Sequence, residues 1–491
     1  MMSSSSPDAA QESPFRLGYV TDVEGNLDYF LRYVEHSKVL TIRQHTPLKL
    51  ELLSDCYFVF GGDAVDKGPG DIRLVRALVD LKRRYPDRVV LLVGNRDLNK
   101  LRLTAELAQD DMERPIRDIP PPHWDPSAPS LLEFLQEKLQ QKEQQSTTKT
   151  TLEDLNTRVN RLHYMLQHTL GCPNTFEFRR QELTILTNND VITDDQVLQS
   201  FLDEIKDEHG SLRQYLECAQ VAVIIGHTLF CHGAVDVRTM QFVPRHDTKF
   251  ENPSSQPPPA FMEPNVHKWT HVLNQYLQVG LDDHRQRPYW NSQRNSRGGE
   301  ALMALQNRPA MWGRSIISNC YGDGGCITTH AAALEREARV IAQEETTNPL
   351  VFEKVCSDPF DASVAEWLLL TQNSIRRVVV GHKPTGDCPA VLSAAYTGVE
   401  IVSADTSFSD TSCADNRGQA VSVVELVGFS DKDNQLELRG VLRNGQAYDC
   451  QFPRLTTEEG MDPSVGDAQL GRQVFLSNNH NDGDARGGGS K

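Results

Sequence analysis

The chain has 491 residues, enough for one large α/β domain with insertions or for two or three ordinary domains, so core size sets no limit. Its formal charge of −17 speaks against nucleic acid as a main partner, because phosphate backbones are held by basic surfaces, yet it leaves a phosphorylated substrate open, since divalent cations invert a field locally. Ten cysteines without Cys-x-x-Cys spacing exclude a zinc ribbon and fit reduced thiols in a cytoplasmic protein; no signal peptide and no membrane span are expected.

Residues 1–14 are rich in Ser, Pro and Glu and are expected to form a disordered tail, as are residues 454–491. Residues 15–453 read as one domain with two insertions. Its first apolar run ends in Thr21-Asp22-Val23-Glu24, the second in Gly62-Asp63-Ala64-Val65-Asp66-Lys67, and the third in Gly94-Asn95-Arg96-Asp97. Strands buried on both faces look like this, continuous in Val, Ile and Leu rather than alternating. Residues 101–215 then turn helical. Ser130 with Glu133 makes a capping box ahead of Leu131, Leu135 and Leu139. Thr151 with Asp154 opens a second helix that lines up Leu152, Leu155, Val159, Leu162 and Leu166 and stops at Gly171. This insertion reads as a helical cap or side domain, with a partner-docking helix as the alternative use of the same apolar face.

The apolar series resumes at Val221 in a run that ends in Cys231-His232-Gly233. Residues 245–300 hold Pro- and Ser-rich loops around a short helix with Trp269, Leu273, Tyr276 and Leu277. The glycine-rich stretch 321–325 lacks the Gly-Lys-Ser/Thr ending of a phosphate loop and reads as a turn, while Arg314 is a candidate phosphate clamp. Two more runs end in Gly381-His382-Lys383-Pro384 and in Ala404-Asp405. Residues 423–452 read as closing β-hairpins turned at Asn444-Gly445, suited to a second sheet.

In open α/β sheets the site lies beyond the carboxyl ends of such strands, where all these turns fall. Taken singly, each signal is weak. Asp22 and Glu24 stand two apart, so one turn can aim both at a point. The glycines before Asp63 allow a tight turn, with Asp66 three residues on, but Asx turns explain isolated cases. The Asn95 amide oxygen is a neutral ligand for a hard or borderline cation. A lone histidine at a strand end, such as His232, His382 or His227, is ordinarily a hydrogen-bonded structural residue.

The order of the blocks is more informative. Asp-x-Glu, Gly-Asp-x-x-Asp, Gly-Asn-Arg-Asp, His-Gly and Gly-His-x-Pro together resemble the calcineurin-like metallophosphoesterase superfamily, with Phe230-Cys231-His232-Gly233-Ala234-Val235 leaning towards its Ser/Thr protein phosphatase-like branch. The resemblance covers about 15–100, 216–240 and 370–455 and neither insertion. It implies an α/β fold, a four-layer αββα sandwich of two sheets flanked by helices, and two divalent metals bridged by Asp63. One metal would take Asp63, Asn95, His232 and His382. The other would take Asp22, Glu24 and Asp63, because the histidine the family carries two residues after Asp22 is Glu24 here and its last histidine is Pro384. An oxygen-rich second site favours Mg2+ or Mn2+, and Mn2+, Fe2+/3+ or Mg2+ are the ions expected overall; Asp387 and Asp405 are candidates to complete it.

A third departure concerns Arg96, which stands where the family carries a histidine that assists the leaving group. Arginine stays protonated and cannot act as a general acid, although it can hold charge on phosphate. The resemblance implies hydrolysis of a phosphoric ester, on a phosphoprotein or a small molecule, by a metal-activated water. Arg96, Asp66 and Asp97 are the expected catalytic groups, and Lys67, Arg96 and Lys383 the expected substrate contacts. The alternative is a binding or scaffold protein that keeps the fold with little or no activity.

Overall fold

The computed structural model describes residues 15–122, 127–145, 149–206, 209–237, 239–244, 260–307, 316–317, 322–323, 326–327, 362–370, 374–393, 398–410, 412–430 and 433–452. Both expected tails, the loop 245–259, Arg314 and part of 321–325 lie outside these residues. Among the described residues, no helix is long and apolar enough to cross a membrane.

Two sheets organise the chain. Their strands in chain order are β1 (Arg16–Val20), β2 (Cys56–Phe60), β3 (Val89–Leu91), β4 (Ala222–Ile225), β5 (Thr228–Cys231), β6 (Arg377–Val380), β7 (Ala390–Ser393), β8 (Glu400–Ser403), β9 (Val421–Ser430), β10 (Asp433–Val441) and β11 (Ala447–Phe452). The six-stranded sheet runs β11-β10-β9-β1-β2-β3 and the five-stranded sheet β7-β8-β6-β5-β4. β1, β2 and β3 are parallel, with Arg16 opposite Cys56 and Val20 opposite Phe60. β5, β6 and β8 are likewise parallel. Three carboxyl ends therefore point one way in each trio, which is the geometry a strand-end site requires.

The burial pattern explains the continuous apolar runs. Leu17, Tyr19 and Val59 of the first sheet share a core with Phe230, Val379 and Val402 of the second. Their neighbours in sequence point the other way. Phe58 and Phe60 pack with Tyr29 and Phe30 of α1 (Leu27–His36) and with Leu74 and Leu78 of α2 (Asp71–Arg84); Val378 and Val380 belong to the same core as Trp269 and Leu277 of the helix Val266–Gln286. β1, β2 and β6 are thus apolar on both faces, and each fully buried side chain of this kind contributes roughly 1.5–3 kcal/mol.

Several elements differ from the sequence expectation. The run from Val221 is not one strand: Gly226, at φ 59°, turns β4 back onto β5 as a hairpin. The closing hairpins β9-β10-β11 join the sheet of β1 rather than the other sheet, because β9 pairs antiparallel with β1 from Arg16–Val427 to Tyr19–Val424. The helix opened by Thr151 ends at Leu155, and Thr157 caps a new helix, Arg158–Tyr164, which continues as a π-turn to Thr169. A second capping side chain breaks what the leucine spacing joins. The helix of Trp269 is 21 residues long, not short. Within 101–215 the described elements are helical, and Leu131, Leu135, Leu155, Leu162 and Leu166 are all buried.

Helix α2 shows how this helical segment meets the sheet. Its N-cap is Gly70, which offers no side-chain acceptor. The missing cap comes from Glu182, whose two carboxylate oxygens each accept a backbone N–H, from Ile72 and Arg73, at 3.0 Å. Arg179, one turn before Glu182 on the helix Thr175–Thr187, reaches Asp71 Oδ2 at 3.1 Å. Thr175 Oγ1 donates to the carbonyl of Asp66.

Candidate metal centre at the strand ends

The turns after β1 and β2, and those after β5 and β6, interlock through their backbones, and the turn after β3 joins them through the side chains of Asp97 and Asp63. Asp22 N donates to Gly62 O at 3.0 Å, Glu24 N to Asp63 O at 2.9 Å, and Gly381 N to His232 O at 2.8 Å. Asp22, Glu24, Asp63, Asp66 and His382 all have positive φ, between 51° and 120°. Such conformations are costly for residues with a Cβ, and their concentration here marks a place where surrounding structure overrides local preference. Gly62 has to be glycine: its φ is 95°, and a Cβ would stand 2.7 Å from Gly94 N and 2.9 Å from His232 Nδ1.

One group of side chains matches the nitrogen-and-oxygen site expected from sequence. His232 is fully buried, with Nδ1 2.8 Å from Gly61 O and Nε2 3.4 Å from Asp63 Oδ2 and 3.3 Å from Asn95 Oδ1. The carbonyl fixes Nδ1 as the protonated nitrogen of the neutral ring, which leaves the Nε2 lone pair facing the two oxygens. The His382 ring centroid lies 5.3 Å from that of His232, and Asp63, His232 and His382 bring ligand atoms within 4.8 Å of one another. Burial works against charge on His232, but Asp63 and then Asp22 outweigh it and raise its pKa to about 10. The centre is therefore short of positive charge, and two imidazoles, a carboxylate and an amide suit a borderline divalent ion.

A second group, Asp22, Glu24 and Asp63, also falls within 4.8 Å. Burial, and then Asp405, push the Asp22 carboxyl well above the usual carboxylate range. Its Oδ2 accepts from Thr21 Oγ1 at 2.6 Å and from the His382 backbone N–H at 2.9 Å. Glu24 is held differently, by Arg96 Nε at 2.7 Å, Lys67 Nζ at 2.9 Å and Arg417 Nη2 at 3.6 Å. Of the two residues considered for completing this group, Asp387 accepts the Arg443 backbone N–H at 3.0 Å, and Asp405 turns its Oδ1 to Ser407 N at 2.7 Å. Asp405 is nonetheless buried and near enough to act on Asp22.

Two residues expected to be catalytic take another place. Asp97 is fully buried behind the loop, where Oδ2 accepts Asp63 N at 3.0 Å and Gly94 N at 2.9 Å and Oδ1 accepts Ala64 N at 2.8 Å. Its carboxylate clamps the loops of Asp63 and Asn95 together and has no face left for a substrate. Burial, and then the charge of Asp63, raise its pKa to about 7. Asp66 is also fully buried, 2.7 Å from Lys100 Nζ and 3.3 Å from Arg96 Nη1. Both carboxylates are engaged by groups of the chain itself. Arg96 itself bonds through its backbone N to Asp63 Oδ1 at 2.8 Å and its Nε lies 3.6 Å from Asp63 Oδ2. Lys383 adjoins His382 and is half-buried. His227 is structural, with Nδ1 2.8 Å from Ser374 O.

Sequence reasoning missed Lys100 and Arg417. Lys100 follows α3 (Asn95–Asn99) and stands one helical turn after Arg96, a spacing that signals the shared partner Asp66. Arg417, whose Nη2 donates to Asp22 O and whose guanidinium lies 4.3 Å from the Tyr29 ring, comes from a loop before β9 that carries no local signal.

No protein-family model matches the chain, and no curated protein matches it. Among solved structures it is similar to a cold-active protein-tyrosine phosphatase of a psychrophilic Shewanella species, at 11% identity and a TM-score of 0.35, with 89% of this chain and 80% of that chain covered. It is also similar to a protein serine/threonine phosphatase from Saccharomyces cerevisiae with similarity to human phosphatase PP5, at 11% identity and a TM-score of 0.33, with 92% and 83% covered. These likenesses are distant.

Proposed function

We propose that this chain is a metal-dependent phosphoric ester hydrolase of the calcineurin-like metallophosphoesterase type. The two sheets would be the inner layers of a four-layer αββα sandwich, with 101–215 as a helical insertion and a cytoplasmic site of action. The observation that carries the reading is the meeting of Asp63, Asn95, His232 and His382 at the carboxyl ends of parallel strands from both sheets. Those four would hold a metal ion, Mn2+, Fe2+/3+ or Mg2+, which when bound polarises a phosphoryl oxygen and lowers the pKa of water.

The remaining work falls to the protein. Asp97 fixes the Asp63 and Asn95 loops, the Gly61 carbonyl sets the His232 tautomer, and Arg96 with Lys67 offers positive charge to phosphate, a role Lys383 can share. Without a general acid at position 96, esters whose leaving group needs a proton lose the roughly 10²–10⁴-fold that such catalysis supplies. A phosphoprotein or small phosphoester with an acidic leaving group is the favoured substrate.

The test is turnover of p-nitrophenyl phosphate by metal-stripped and Mn2+-loaded protein, with Asp63→Asn alongside. Turnover that requires the metal and falls by at least about 10²-fold in the variant agrees with the proposal. An ion-loaded protein that leaves the activated ester untouched would favour the binding or scaffold alternative.

A further inference from the structure

The second half of the expected two-metal arrangement does not fit a cation. The carboxylate oxygens of Asp22, Glu24 and Asp63 are close enough, within 4.8 Å, but the chain's own positive groups already occupy their surroundings. Arg96 Nε is 2.7 Å from Glu24 Oε1 and 3.6 Å from Asp63 Oδ2, the carboxylate that would bridge two ions. Lys67 Nζ approaches the same Glu24 oxygen at 2.9 Å, and Arg417 Nη2 lies 3.6 Å from the other. A divalent ion placed among these oxygens would meet two fixed cations at contact distance, in a buried site where screening is weak.

We infer that the chain carries a one-ion centre in which the Arg96 guanidinium, supported by Lys67, stands in the place of a second metal. The inference rests on the hydrolase reading for its single ion, the one held by Asp63, Asn95, His232 and His382. Arg96 is locked into this place. Its Nη1 lies 3.3 Å from Asp66, which Lys100 holds at 2.7 Å, so the guanidinium is anchored to buried carboxylates on two sides. Lys67 is steadied over the Phe408 ring at 4.1 Å. Arg96 and Lys67 each keep 15% side-chain exposure, whereas Lys100 keeps 2% and Arg417 1%, so the first two are the cations an incoming phosphoryl group would reach. A planar, permanently charged group there takes charge from phosphate oxygens without supplying a proton, which selects aryl phosphates and phosphoanhydrides over alkyl esters.

Counting the ions tests this. Metal-stripped full-length protein is dialysed to equilibrium against MnCl2, bound manganese is measured by elemental analysis, and its electron paramagnetic resonance spectrum is recorded. The expected result is one ion per chain with the spectrum of an isolated Mn2+, rising to two exchange-coupled ions in the double variant Arg96→Gln/Lys67→Gln. Two coupled ions in the wild type overturn the inference and leave the hydrolase reading standing. No bound ion overturns the hydrolase reading, and the inference with it. One ion in both proteins shows that the basic pair does not exclude the second, and overturns the assignment to Arg96. The wild-type count and spectrum decide the one-ion centre even where the double variant does not fold, and the single variant Arg96→Gln, read in the same way, then decides the place of Arg96.

Discussion

Nε of Arg96 lies 2.7 Å from Oε1 of Glu24, the oxygen that Lys67 Nζ also approaches, at 2.9 Å. The residue that departs from the expected metal ligand and the residue that departs from the expected proton donor are thus partners. Glu24 is 3% exposed, so its charge is needed where it is. Glu24→Gln leaves Arg96, Lys67 and Arg417 without their shared anion, and breaking a buried pair in this way costs about 3–5 kcal/mol. Urea denaturation of metal-free protein should show that loss; a change below about 1 kcal/mol would mean that the three cations find other partners.

Glu182 offers a test of how the helical segment 101–215 is attached. It caps α2 through two 3.0 Å bonds, and α2 follows directly on the loop of Asp66 and Lys67. Glu182→Ala removes both acceptors and leaves buried N–H groups unpaired, for an expected loss of about 2–4 kcal/mol in chemical denaturation. A segment that merely rests on the sheet would lose a few tenths of that.

Asp97→Asn separates positioning from catalysis. The amide keeps one acceptor oxygen where the carboxylate uses two for three backbone N–H groups. The expected outcome is weaker binding of Mn2+ at the Asp63 and Asn95 loops, with the turnover rate largely restored at saturating metal. A turnover rate that stays at least about 10²-fold down when the ion is fully bound would return Asp97 to the catalytic groups.

His284 sets a pH dependence away from the site. It is 3% exposed, its Nδ1 lies 3.1 Å from Arg213 Nη1 and its Nε2 3.3 Å from Leu101 O. Burial, and then the Arg213 charge, lower its pKa to about 4 from an unfolded value of about 6.5. The unfolded chain therefore takes up a proton that the folded chain refuses. Stability falls as pH drops from about 6.5 to about 4 and levels off below, by up to about 3 kcal/mol in total. Comparing the unfolding free energy of wild type and His284→Gln at pH 7 and pH 4.5 isolates this contribution from the carboxylates. The wild type should lose about 2–3 kcal/mol more than the variant over that interval, and parallel pH profiles would contradict the assignment.

Much of the centre was legible because its signals are local. A two-faced apolar run followed by glycine and a polar residue places Asp63, Asn95, His232 and His382 at strand ends without knowledge of their partners. The partners of Asp66 and Asp97, Lys100 and the backbone of the Asp63 loop, were not legible because they are set by how the loops stack. Arg417 reaches Asp22 and Glu24 across nearly 400 positions of sequence, a distance no spacing rule spans. The broken helix at Asn156 and the hairpin at Gly226 were missed because leucine and valine spacing continues through a turn that one cap or one glycine imposes.

The central claim is that Asp63, Asn95, His232 and His382 hold a metal ion. Anomalous diffraction from crystals grown with Mn2+, recorded at the manganese edge, tests it most directly. A strong peak within ligand reach of His232 Nε2, Asp63, Asn95 and the His382 ring is expected. A fully manganese-equilibrated crystal with no peak among those four residues would contradict it.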